Sequence, residues 1–118
     1  MSVINIQGKF KLFDEYWSPR IVGELNGQYV KLAKFKGEFV WHQHDHEDEL
    51  FLVIKGRLRI VLRDRELDLK EGEFTIIPKG VQHLPIADGE AHVVLLEPKS
   101  TVSTGEVMNE NTTQGEWL

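Results

Sequence analysis

Histidine and acidic side chains crowd one short stretch, Trp41-His42-Gln43-His44-Asp45-His46-Glu47-Asp48-Glu49, and His83 follows a Pro78-Lys79-Gly80 turn, which together account for four of the five histidines. Imidazole and carboxylate groups in such density are ligands for divalent metal ions. Residues two apart on a β-strand point to one face, so His42 and His44 would project together, on the face that also holds Val40. Asp45 to Asp48 is too polar to be buried and reads as a hairpin loop. Glu49 then opens an apolar strand, Leu50 to Ile54, expected beside the histidines across an antiparallel pair. An inward carboxylate there is costly without a cation, and a divalent ion is the economical answer. His83 is the remaining ligand candidate, because a turn fixed by Pro78 and Gly80 re-aims the chain and holds one imidazole still.

Other side chains in these stretches are expected to do less. His46 falls in the loop between strands and should face solvent or support its neighbours, while His92, in Ala91-His92-Val93-Val94-Leu95-Leu96, reads as part of a late strand and not as a fifth ligand. Trp41 alternates with the ligand candidates, so it should face away from them and pack. Tyr29, Lys31 and His92 qualify by type as a general acid or base beside an ion, but nothing in their pattern assigns a catalytic role to any of them.

The whole chain sets limits on the chemistry. Its 118 residues suffice for one compact domain, and an apolar share of 41% against 28% charged is the ordinary globular balance. The absence of cysteine removes disulfides, thiol nucleophiles and sulfur ligands, leaving nitrogen and oxygen to any metal. Fourteen basic against nineteen acidic residues give a net charge of −5, which argues against nucleic acid as a partner and disfavours anionic membranes. The start MSVINIQGKF lacks a basic segment followed by an apolar one, and no apolar run approaches the roughly 20 residues of a membrane helix, so a soluble, cytoplasmic protein is expected.

The elements that must position these residues are mostly strands. Ile6, Phe10, Phe13 and Trp17 recur at spacings of four, three and four, which predicts a short helix within an N-terminal segment, residues 1–19, ending before Ser18-Pro19. Thereafter short β-branched and aromatic runs are punctuated by seven turn signals: Asn26-Gly27, Lys36-Gly37, Lys55-Gly56, Asp64-Arg65, Glu71-Gly72, Lys79-Gly80 and Asp88-Gly89. An all-β, antiparallel barrel or sandwich over residues 20–100 follows, with residues 101–118 a polar arm or tail. In Arg57 to Arg63, Leu58, Ile60 and Leu62 share one face and three arginines the other, whereas Leu50 to Ile54 is apolar on both. Something must cover the second face of that strand. A symmetric homodimer is the first expectation and the N-terminal helix of the same chain the second.

At this level of detail the chain resembles the cupin superfamily. The first cupin motif appears as His42-Gln43-His44, four residues, Glu49, six residues and Gly56; the second appears as Gly72, Pro78-Lys79-Gly80 and His83. Two departures stand out: Gly37 lies four residues before His42 where the family has five, and Ala87 occupies the place of a final Asn. The resemblance implies an antiparallel double-stranded β-helix, the cupin jelly-roll barrel, with His42, His44, Glu49 and His83 binding one divalent ion at its mouth. Three neutral imidazoles and a carboxylate suit Fe, Mn, Ni, Cu or Zn, and an octahedral ion would keep two positions open. The function expected by analogy is a metal-dependent, dioxygenase-like enzyme acting on a small organic molecule. The alternatives are a sugar isomerase or epimerase, or a non-catalytic small-molecule binding or sensor module. No phosphate-cradling glycine loop or inward arginine cluster supports a sugar-phosphate substrate.

Overall fold

The structure, a computed structural model, describes residues 1–105 and 112–118. Among these residues a short helix, α1 (Ile6–Phe10), precedes strands β1 (Arg20–Leu25), β2 (Gln28–Glu38), β3 (Glu49–Lys55), β4 (Leu58–Val61), β5 (Glu66–Leu69), β6 (Phe74–Ile77), β7 (Leu84–Pro98) and β8 (Glu116–Trp117). The two longest strands, β2 and β7, pair antiparallel from Gln28↔Pro98 to Glu38↔Ile86. Strands β4 and β5 attach through the first residues of β7, and β3 and β6 through its later ones. On the far side β1 pairs with β2, and β8 runs parallel to β1. The sheet therefore wraps into a cupin-like cup without closing.

The cup forms where β2 and β7 bend together. Lys36-Gly37 and Asp88-Gly89, expected as turns, lie inside these two strands instead. Phe35 pairs with Ala91 and Gly37 with Ala87, so Asp88, Gly89 and Glu90 all oppose Lys36. Such a bulge sharpens local twist, and Gly37 supplies the left-handed backbone, at φ +80°, that it needs. The two halves of each long strand thereby serve different walls. The other five signals connect successive strands as expected; at Asn26-Gly27 both residues are left-handed, φ 51° and 78°, which suits a tight hairpin.

The N-terminal helix is shorter than the spacing predicts. Asn5 caps it through a 2.7 Å bond from the Gly8 amide, and it stops at Phe10. Five residues with an internal glycine cannot sustain a longer helix against the sheet, which offers Tyr16 a bridge to Lys34. Phe10 and Phe13 still reach a common place: with Leu32 and Val94 they form an outer cluster that Leu52 and Ile54 join. The outer face of β3 is thus covered in part by its own chain. Trp17 leaves that side and packs against the inner core of Phe35, Phe51, Val53, Val93 and Leu95.

The described parts of the C-terminal arm are built into the domain. Thr101 and Thr104 are fully buried, Ser103 exchanges hydrogen bonds with Thr113 at 2.8 and 3.0 Å, and the Leu118 amide reaches the Ile21 carbonyl at 3.0 Å. No helix of the described residues is long and apolar enough to cross a membrane.

Candidate metal centre

Strand β2 ends at Glu38, and residues 39–48 form a loop, so His42 and His44 do not lie on a regular strand as expected. Nor is Glu49 on a strand paired with them: it opens β3, whose partners are β6 and β7. The partner of the histidine loop is His83. The His42 amide bonds the His83 carbonyl at 3.1 Å, and the His83 amide returns a 2.9 Å bond to the His42 carbonyl. This isolated antiparallel bridge puts two imidazoles side by side, their ring centroids 4.2 Å apart.

The proline-glycine turn does hold the loop. Gly80, left-handed at φ +81°, donates its amide to the His44 carbonyl at 2.8 Å, and the Lys79 amide bonds Asp48 at 2.8 Å. The acidic loop is therefore anchored to the turn that presents His83. All four candidates, His42, His44, Glu49 and His83, are buried, and one ligand atom from each lies within 4.8 Å of every other. Glu49 Oε1 stands 3.3 Å from His44 Nε2 and 3.6 Å from His83 Nε2. Two donors each about 2.1 Å from one ion are separated by about as much.

The protonation pattern also suits a cation. His42 Nδ1 lies 2.9 Å from the Val40 carbonyl and His83 Nδ1 2.9 Å from the Val81 carbonyl. A carbonyl only accepts, so Nδ1 carries the proton in each and Nε2 presents its lone pair to the centre. Burial, then the neighbouring His83, pushes His42 down to about 4, which keeps it neutral at ordinary pH. Burial opposes ionisation of Glu49, but the polar groups of Glu97, His44 and His83 around it outweigh burial and hold Glu49 well below the usual carboxylate range. Glu49 Oε1 and His83 Nε2 are nevertheless buried without a hydrogen-bond partner. Three buried imidazoles and a carboxylate converging on one point, with Glu49 Oε1 and His83 Nε2 lacking any other partner there, fit a divalent ion, which would satisfy them.

The remaining candidates fall elsewhere. His46 is exposed. His92 lies on the outer face, stacked on Phe10 and 2.6 Å from Glu90. Trp41 faces away from the centre beneath the Arg63 guanidinium, 3.8 Å from its ring centroid. Lys31 points inward and is fully buried, its Nζ 2.7 Å from Glu97 Oε1. Glu97 was not anticipated. Its signal lies in Ala91, Val93, Leu95 and Glu97, alternate residues of one strand that share the inward face, so the carboxylate closes an otherwise apolar row. Burial and the charge of Glu49 raise it well above the usual range, against the pull of Lys31. Beside His42, Glu49 and Glu97 lies a cavity of about 30 Å³, walled mainly by Trp17, Phe35, Phe39 and Phe51.

The cup and its cluster define a small β-barrel protein with a buried histidine and glutamate group that could hold a metal ion. Residues 28–98 match the cupin domain, and the chain belongs to that family. A cupin-2 domain protein of Shewanella frigidimarina NCIMB 400 is 48% identical, with a TM-score of 0.80 over 81% of this chain and 94% of that one. NMB1881 of Neisseria meningitidis is 28% identical, with a TM-score of 0.75 over 82% and 99%. The uncharacterized protein YdbB of Bacillus subtilis (strain 168) is 44% identical over 63 residues, 52% of this chain and 56% of that protein, so the match spans little more than half of this relative.

Proposed function

We propose that the protein is a metal-dependent cupin enzyme, dioxygenase-like, that acts on a small organic molecule as a cytoplasmic homodimer. His42, His44, Glu49 and His83 would hold one divalent ion, and such an ion supplies Lewis acidity and exchangeable positions for substrate and oxygen. The observation that carries this reading is the convergence of orphaned Glu49 Oε1 and His83 Nε2 beside imidazoles whose Nδ1 atoms are committed to carbonyls. A cavity beside the cluster, walled mainly by aromatic rings, leaves room for a small ligand. The test is metal analysis of the purified protein, then oxygen-uptake assays of Fe(II)- and Mn(II)-reconstituted protein with small hydroxy and keto acids. Oxygen consumption that is lost in Glu49→Gln supports the reading.

Glu97 favours a second reading, an isomerase- or epimerase-like proton transfer. It lines the same cavity, and burial and Glu49 favour its protonated form. Solvent-deuterium incorporation into substrate without oxygen uptake would select it. Ligand-dependent thermal stabilisation without turnover would instead indicate a binding module.

A further inference from the structure

Trp17 stands outside the residues, 28–98, that match the cupin domain, yet its indole lies inside the cup. It stacks on Phe35 and on Phe39, ring centroids 4.2 and 4.6 Å away at 17° and 15°, and Phe39 in turn meets His42 edge-on at 5.5 Å. The indole is held at its polar edges too. Its Nε1 donates to the Lys36 carbonyl at 3.0 Å and its backbone amide to the Lys34 carbonyl at 2.9 Å. The backbone of Trp17 is left-handed, φ +57°, a conformation that a bulky residue adopts only where its surroundings impose it. These bonds make the indole a fixed wall of the metal cavity. What it leaves open is about 30 Å³, room for roughly two water molecules.

We propose that Trp17 is the specificity-determining residue of the centre, limiting the ligands that reach the metal to those of a few heavy atoms. The N-terminal segment thus narrows a cup that β2, β3 and β7 alone would leave wide. This inference rests on the metal reading above, and its test separates the two. In Co(II)-loaded wild-type protein, azide should perturb the visible absorption of the ion while benzoate does not. Trp17→Ala should raise benzoate affinity at least tenfold and leave azide within threefold, and Trp17→Phe, which keeps a stacked ring, should fall between. Equal benzoate binding by wild type and variants would overturn the proposal. A second arm needs no metal: indole should raise the Tm of metal-free Trp17→Gly by several degrees and that of wild type not at all. No shift in the variant would show that the indole does not fill the cup and would also overturn the proposal. A clear indole shift in protein that takes up no cobalt would leave Trp17 as the wall and overturn the metal reading alone.

Discussion

At the scale of single residues, the site divides into side chains that point at one centre and side chains that hold them there. His44→Ala or Glu49→Gln should reduce bound metal at least tenfold by elemental analysis, whereas His46→Ala, an exposed position, should leave it unchanged within about twofold. Acid acts through His42. Its pKa is about 4 in the fold against an ordinary value of 6.5, so between these values the unfolded chain binds a proton that the folded chain refuses. Stability of the metal-free protein should therefore fall as pH drops from about 6.5 to about 4, by on the order of 3 kcal/mol, and be recovered on returning to neutral pH. Urea melts of wild type and His42→Gln at pH 7 and pH 5 measure this, the variant losing the His42 share of the slope. The four ligand candidates were legible because their types are rare and their spacing is local to two short segments. Glu97 and Trp17 were not, since each matters only through what a distant strand brings beside it.

Elements were legible where the chain turns by itself and obscure where two strands turn together. Asn26-Gly27 carries its hairpin in its own backbone, but Lys36-Gly37 and Asp88-Gly89 acquire their meaning as a facing pair, which no local pattern reveals. The helical spacing of Ile6, Phe10, Phe13 and Trp17 likewise mixed two things, one helical turn and an extended segment that crosses from the outer cluster to the inner core. Gly56, the last residue of the first cupin motif, shows what the bulge demands. It is left-handed, φ +84°, and a Cβ there would stand 2.4 Å from the Glu90 carbonyl oxygen. Backbone cannot yield as a side-chain tip does, so Gly56→Ala should cost about 2 kcal/mol or more in chemical denaturation, while Gly89→Ala, with open space around it, should cost less than about 1.

For the whole molecule, the architecture follows from the repeated strand-and-turn pattern, and the cover of its outer face does not. Phe10 and Phe13 shield Leu52 and Ile54, but Phe74 and Ile76 on β6 remain 61% and 52% exposed opposite Leu52 and Leu50. An apolar row on an edge strand is a self-complementary surface, and the proposed homodimer would close on it. Sedimentation should give twice the chain mass for wild type and a monomer for the double variant Phe74→Lys, Ile76→Lys. A monomeric wild type would leave the N-terminal segment as sole cover. One feature of the fold reaches beyond assembly. Because His42 and His83 are joined through reciprocal amide–carbonyl bonds, two ligand candidates from separate segments of the sequence are already neighbours before any ion arrives. Metal capture then demands little ordering of the chain, unlike small domains that collapse only around their ion. Chelation should strip the centre and leave the circular dichroism of the strands intact, so that one batch of protein can be emptied and refilled with each candidate ion in turn.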